Sequence, residues 1–192
     1  MRVFPQPQSA KADAPPRGLA FDERGTALLE FAFVAAPFIA LLLAVLQTAL
    51  LFFAQQSLET VAEKAARTIS TGQAQTGNSG HGLTKDAFKQ QVCDSLPVYM
   101  DCGSLLVDVQ TAASFADIDT ATPTITYDSD GNITSSTAYN YGSAGSIVIL
   151  RLLYYWPVVS GPLNFGYSTE ANGKHLLVAI DIAKSEPYSS GS

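Results

Sequence analysis

The residue types that carry most enzyme and metal chemistry are scarce and scattered in this sequence. Cys93 and Cys102 lack the Cys-x-x-Cys spacing of a redox pair, and two cysteines are too few for a thiolate zinc site. His81 and His175 have no cysteine, serine or carboxylate at a metal-ligand or nucleophile spacing. The sequence therefore predicts no catalytic residue, no metal site, no cofactor and no enzyme activity.

The segment 128–132 (DSDGN) has the residue types of a calcium loop but not its spacing. Its glycine falls at the fourth position rather than the sixth, and no glutamate stands at the twelfth. Asp130-Gly131 is instead typical of a hairpin turn, and threonines and isoleucines flank it on both sides. We therefore predict a hairpin over residues 124–137.

One carboxylate, Glu30, is distinguished by its position. From Phe31 to Leu58 the chain has no charged residue. The stretch from Phe31 to Phe53 would measure about 34 Å as a helix, enough to cross a bilayer core of about 30 Å. An ionisable residue at the edge of a membrane helix is costly, which makes Glu30 a candidate functional residue. The alternative is that its carboxylate merely lies among the lipid headgroups.

The apolar run predicts a single membrane span. A buried core helix is rarely apolar on every face for this length, and the apolar core of a cleaved secretory signal is shorter. Residues 1–25 are polar and rich in proline, which predicts disorder, whereas residues 55–192 have the features of a folded domain. We therefore expect a cytoplasmic N-terminus and an outer C-terminal domain. The basic residues flanking the span support this orientation only weakly.

The overall charge excludes one class of partner. Eleven Lys and Arg face 17 Asp and Glu, giving a formal net charge of −6 and an isoelectric point near 4.7. Proteins that bind nucleic acid carry a basic surplus, so we expect no nucleic-acid partner. Charged residues make up only 15% of the chain, which agrees with a segment in lipid.

The junction between leader and span resembles a known processing site. Gly25 is followed five positions later by Glu30-Phe31 at the head of the apolar helix. This arrangement resembles type IV prepilin-like proteins, and more narrowly the TadE-like pseudopilins of the tight-adherence (Tad/Flp) pilus system. The far end of the chain is also similar to that family, whose members often end in Asn-Glu-Pro-aromatic. Here Glu186-Pro187-Tyr188 forms the match, and a serine replaces the usual asparagine.

The resemblance implies a role in assembly. A membrane prepilin peptidase would cut between Gly25 and Thr26, and the new Thr26 amine would pair with Glu30 of a neighbouring subunit. The implied partners are other pseudopilins, the major Flp pilin, the inner-membrane assembly platform and the lipid bilayer. The implied location is the bacterial inner membrane, with a periplasmic C-terminal domain.

The helix is predicted to continue beyond the membrane. Six apolar residues recur every three or four positions: Leu58, Val61, Ala62, Ala65, Ala66 and Ile69. We expect this stripe to pack on its own domain, with a coiled-coil partner as the alternative. Residues 26–70 would thus form the span and its extension, after a removed leader (1–25) and before a periplasmic domain (71–192).

The outer domain is predicted to be α+β, with helices laid on one antiparallel sheet as in pilin headgroups. Thr84 is the expected N-cap of a second helix that stops before Pro97. Leu105 begins a half-buried strand, and residues 147–156 form a central strand that is apolar except for Arg151. The last strand is predicted to be amphipathic, with an apolar face of Leu176, Val178, Ile180 and Ile182.

Cys93 and Cys102 are predicted to form a structural disulfide in an oxidising periplasm, the alternative being a buried free pair. Two other functions remain open on the sequence alone. The chain could be a membrane-anchored binding module whose Gly25 to Glu30 spacing is accidental, or an anchored periplasmic enzyme. The second of these needs a convergent polar site, for which the sequence offers no motif.

Overall fold

The structure is a computed structural model. It describes residues 26–77, 82–118, 121, 125–128, 134–135, 137–158, 168–170 and 173–187. Its contacts divide the chain into two compact units, Met1–Leu43 and Ala44–Ser192. The folded core lies entirely in the second unit.

Helix α1 is a single element of 45 residues, Thr26–Ser70, and includes Pro37. Its most apolar stretch buries no residue, and it is the one helix in the described parts of the chain that is long and apolar enough to cross a membrane. Side chains such as Phe31 and Phe33 are more than two-thirds exposed. A helix with this surface is stable in lipid rather than in water, so α1 suggests single-pass membrane anchoring.

Three antiparallel strands form one sheet in the order β1-β2-β3. The strands are β1 (Leu105–Ala112), β2 (Ile147–Trp156) and β3 (His175–Lys184). Every residue of β2 except Trp156 is buried, because the strand lies between two others and is covered on both faces. The predicted central strand and the α+β class are confirmed.

The core forms between one face of the sheet and the outer half of α1. All six residues of the predicted helical stripe are buried, together with Ala54. They share one cluster with β-strand residues on the facing side of the sheet: Leu105, Val107, Val109, Val148, Leu150, Leu152, Tyr154, Leu177 and Ala179. The extension of the helix therefore packs on its own domain, as the first of the two sequence interpretations predicts.

Two short helices complete this layer, α2 (Gln73–Thr76) and α3 (Lys85–Asp94). The hydroxyl of Thr84 accepts a hydrogen bond from the Ala87 amide, so Thr84 caps α3 as predicted. Phe88 and Val92 point from α3 into the core. The helix ends before Pro97, which cannot donate a backbone hydrogen bond.

The predicted apolar face of β3 is wrong in phase. The structure buries Leu177 and Ala179 against α1 and leaves Ile180 and Ile182 38% and 39% exposed. The buried set also contains Asp181, so the more apolar of the two alternating sets is the one that faces away from α1, and periodicity alone predicted the wrong face. Because β3 is an edge strand, its second face is only partly covered.

The predicted hairpin over 124–137 is seen only at its flanks. The Thr134 amide donates to the Thr126 carbonyl oxygen at 2.9 Å. The hydroxyls of the same two residues are 3.0 Å apart. The turn itself, Asp130-Gly131, lies outside the described residues.

Candidate functional site

The first candidate site is the beginning of α1. Thr26 is the first helical residue, and Glu30 follows one turn later. Residues four apart lie on the same face of a helix, so the Thr26 backbone nitrogen and the Glu30 carboxylate are neighbours along that face. Both residues are exposed, and Phe31 beside them is 71% exposed. Gly25, the predicted residue before the cleaved bond, lies outside the described residues.

The Glu30 carboxylate has no protein partner among the described residues. The single ion pair found there joins Arg151 to Asp108, far along the chain. A carboxylate at the edge of lipid is stabilised by an opposite charge, and an isolated copy of this helix does not provide one within the described residues. The arrangement therefore presents an acceptor for a cation supplied from outside the helix or by a newly formed N-terminus.

The second candidate site is the C-terminal segment that resembles the family ending. The Ser185 amide donates to the Ser146 carbonyl, and the Glu186 amide donates to the Ser70 carbonyl, each at 2.8 Å. Ser70 is the last residue of α1, so Glu186 satisfies a carbonyl that has no partner within the helix. The segment thus ties the end of β3 to the end of α1. Tyr188 lies outside the described residues, and Pro187 lies just beyond these bonds.

The serine in the asparagine position is buried. Ser185 is 2% exposed, and its hydroxyl has no hydrogen-bond partner in the part of the chain that the structure describes. The observed role of this segment is therefore carried by backbone amides rather than by the side chain of residue 185. The sequence did not reveal this, because backbone hydrogen bonding leaves no trace in residue types.

Cys93 and Cys102 form a disulfide, with their Cα atoms 5.4 Å apart. The bond joins the end of α3 to the short turn Cys102–Ser104 that leads into β1. In the chain-entropy treatment, closing a loop of about ten residues stabilises the fold by about 2.7 kcal/mol. The disulfide is therefore structural, as the sequence predicts.

The described residues offer little for catalysis or metal binding. They contain no group of three or more His, Cys, Asp or Glu side chains that could hold a metal ion. The phenol of Tyr127 donates a hydrogen bond to the Glu170 carboxylate. Burial raises the pKa of Tyr127, and the bond to Glu170 raises it further, so this phenol is protonated at neutral pH. It acts as a hydrogen-bond donor that holds residue 170 near the sheet.

Two features of the folded unit were not identified from the sequence. One is the pairing of Asp108 with Arg151 inside the protein, discussed below. The other is a group of aromatic side chains near the end of the apolar run, in which Tyr99 contacts Phe53 and Trp156. The signal for this group was weak, since Pro97 was interpreted as a helix stop and no role was predicted for Tyr99.

Comparison with known families identifies the N-terminal part of the chain. Residues 25–67 match the family model described as TadE-like protein. This segment is similar to TadE-like proteins. The match begins at Gly25, covers Glu30-Phe31 and the whole apolar run, and includes most of the stripe that packs on the sheet.

The TadE-like match supports a protein of the Tad pilus system and the resemblance noted at the Gly25 junction. It ends before the disulfide and the C-terminal segment, so their described roles rest on the structure. No curated protein and no solved structure matches the chain.

Proposed function

We propose that this protein is a minor pseudopilin required for assembly of a Tad/Flp adhesive pilus. It acts as a processed, membrane-anchored structural subunit rather than as an enzyme. The observation that carries the proposal is the TadE-like match over residues 25–67, which starts at the glycine of the suspected cleavage site. The exposed apolar surface of α1 and Glu30 at its head, which has no partner among the described residues, support the same role.

The proposed topology follows from the position of the folded unit. The leader stays in the cytoplasm, α1 crosses the inner membrane, and the domain built around residues 54–187 lies in the periplasm. The disulfide between Cys93 and Cys102 fits an oxidising compartment. The proposed partners are a prepilin peptidase, other pseudopilins, the major Flp pilin and the inner-membrane assembly platform.

Processing is the first step of the proposed mechanism. The peptidase would cut between Gly25 and Thr26, because a small residue before the scissile bond leaves its pocket unobstructed. Thr26 would then carry a free amine at the head of α1, one turn from Glu30. Pairing that amine with a carboxylate of a neighbouring subunit would neutralise both charges and set the vertical offset of the two helices.

N-terminal sequencing tests this proposal directly. Co-expression of the full chain with a Tad prepilin peptidase should yield a protein that begins at Thr26. The 25 residues removed correspond to about 2.6 kDa, at ~105 Da per residue from the mass and length of the chain. Gly25→Leu should block the cut, whereas Gly18→Leu, a matched change within the leader, should leave it intact. A mature chain that begins at any other residue would contradict the assignment.

A further inference from the structure

An aromatic patch lies where α1 leaves its uncharged stretch. We use this name for Phe53, Val98, Tyr99 and Trp156. The Tyr99 ring is 5.5 Å from that of Phe53 and 6.5 Å from that of Trp156, measured between centroids. Its hydroxyl is 2.6 Å from the Ser57 hydroxyl, one turn further along α1. The patch therefore joins the helix, the loop after α3 and the end of β2.

The most exposed member of the patch is Val98. Its relative exposure is 107%, and the two rings in contact next to it along the patch, Phe53 and Tyr99, are also about half exposed, at 58% and 45%. A fully exposed valine at a loop tip loses the stabilisation that burial of such a side chain provides. An exposed group of large apolar side chains marks an interaction surface more often than a single one does.

The loop that carries Val98 is held firmly. The disulfide between Cys93 and Cys102 closes it. The Met100 amide donates to the Pro97 carbonyl at 2.9 Å. The Asp101 amide donates to the Tyr154 hydroxyl at 2.8 Å. The exposure of Val98 is thus imposed by a fixed loop conformation.

The level of the patch along α1 identifies its partner. Phe53 ends the predicted span, and Glu59 is the first charged residue after it. The Tyr99 ring lies against α1 between Phe53 and Ser57, so it lies between the end of the predicted span and Glu59, the first charged residue after it. Tyrosine and tryptophan concentrate at this level in membrane proteins, where the ring meets acyl chains and the polar atom meets water.

We propose that this patch docks on the surface of the lipid bilayer, with Val98 inserted among the lipids and Tyr99 and Trp156 at the headgroup level. The proposal requires that α1 spans the membrane, but it does not require processing at Gly25. Docking would give the folded unit a second attachment to the bilayer besides the helix and would limit its tilt.

The attraction is apolar rather than electrostatic. Residues 93–104 contain no lysine or arginine and carry two carboxylates, Asp94 and Asp101. Anionic lipid headgroups would repel these carboxylates, so docking should not require anionic lipids. Zwitterionic phosphatidylcholine is therefore the appropriate test lipid, and adding phosphatidylglycerol should not strengthen the interaction.

Site-directed labelling of the full chain in phosphatidylcholine vesicles tests the proposal. Three single variants would carry an environment-sensitive fluorophore: Val98→Cys, Leu46→Cys in the span, and Phe115→Cys. Phe115 is 63% exposed and follows Ala112, the last residue of β1. The first residue of β1, Leu105, pairs with Tyr154 near the patch, so Phe115 follows the opposite end of the strand. It is therefore a matched apolar control at the far end of the sheet. The native disulfide leaves no other thiol to react.

Brominated lipids should quench the Val98→Cys and Leu46→Cys labels several-fold more than the Phe115→Cys label. Trp156, the one tryptophan in the chain, provides a label-free readout in the unmodified protein. Its quenching by brominated lipids should fall markedly in Val98→Asp and persist in Val98→Thr, which has the same shape without a full charge.

Distinct outcomes overturn the proposal. If the Leu46→Cys label is quenched while the Val98→Cys label behaves like Phe115→Cys, the patch does not dock on lipid. If Val98→Cys is shielded only in membranes that contain the other pilus proteins, its partner is a protein and the lipid proposal is wrong. If Leu46→Cys itself is unquenched, α1 does not span and the docking proposal fails with it. Correct cleavage after Gly25 can accompany any of these results, so the two proposals fail separately.

Discussion

Asp108 and Arg151 stand directly opposite each other on β1 and β2, and their charged groups are 2.9 Å apart in the protein interior. Each side chain is 2% exposed. Asp108 also accepts hydrogen bonds from the Ala138 amide at 2.7 Å and the Gln110 side-chain amide at 3.0 Å. One carboxylate therefore links two strands and the segment after the predicted hairpin.

Removing the cation from this pair should be strongly destabilising. Arg151→Met leaves the Asp108 carboxylate buried without its counter-charge, so unfolding of the full chain in nanodiscs should become easier by about 3–5 kcal/mol. The double variant Asp108→Asn/Arg151→Met should recover part of this loss, because the amide oxygen still accepts from Ala138. Urea titration followed by near-ultraviolet circular dichroism measures both. With Asp108→Asn measured alone as well, strict additivity of the two single effects in the double variant would show that the groups are not coupled.

The bond from Glu186 to Ser70 predicts a backbone effect at the C-terminal segment. Glu186→Pro removes the amide that donates to the Ser70 carbonyl, whereas Glu186→Ala keeps it and removes only the side chain. We expect the proline variant to lose about 1–3 kcal/mol of unfolding free energy and the alanine variant to stay within about 0.5 kcal/mol of the native chain. Equal losses in thermal melts would mean that the carboxylate, not the amide, is the important group.

Asp181 on β3 predicts a pH dependence of stability. Burial raises the pKa of Asp181 above the ordinary 3.8, the nearby Glu63 carboxylate raises it further, and a bond from the Ile182 amide opposes this. The folded state then binds this proton more tightly than the unfolded state, so stability falls as pH rises from about 3.8 through the folded pKa. The loss of stability caused by ionisation of Asp181 is complete above that pH range and absent below it.

Asp181→Asn should therefore raise the melting temperature at pH 7 and have no benefit near pH 3. Because Asp181 is partly exposed, solvent screening limits the gain to about 2 °C. Lys184→Gln, a change at the end of the same strand, is the control. A gain for Asp181→Asn that is equal at both pH values would contradict the role of ionisation.

Glu30→Gln separates cleavage from assembly in the proposed mechanism. The amide occupies the same space, so the peptidase should still cut after Gly25, but the Thr26 amine would lack its counter-charge in a medium of low dielectric constant. Crosslinks to other pilins and the number of surface pili should fall strongly. Glu59→Gln removes one charge from the same helix outside the uncharged stretch and should leave both unchanged. If cells that carry the processed Glu30→Gln protein have as many crosslinks and pili as the wild type, Glu30 only faces the headgroups.

Much of the fold could be predicted because its signals are local. The uncharged run and the stripe ending at Ile69 give α1, alternating apolar residues give β1 and β3, and a continuous apolar run gives β2. The disulfide was predicted from the expected oxidising compartment and from the positions of Cys93 and Cys102 in the sequence. The phase of β3 could not be predicted, because the alternating set with Ile180 and Ile182 is the more apolar one, and only the position of α1 decides that Leu177 is covered instead.

The paired charges and the aromatic patch were missed for a different reason. Asp108 and Arg151 are far apart in the chain, and only the strand register places them opposite each other. Phe53, Tyr99 and Trp156 likewise come from three separate elements. Such groupings depend on long-range packing, which residue periodicity within one segment does not encode. The roles of Gly25, Thr26 and Glu30 remain predictions.

The hydrogen bond from the Gln55 side chain to the Val178 carbonyl closes a loop of 123 residues and measures 3.0 Å. The outer half of α1 leaves the ribosome long before β3 is made, so its apolar stripe is not fully covered until that last strand is complete. At about 5–20 residues per second the delay is about 6–25 s. In the proposed topology, the growing chain exposes this apolar helical surface in the periplasm during that interval. Biogenesis of this protein should therefore depend on holdase chaperones in that compartment, and proteases there should compete with the completion of the sheet.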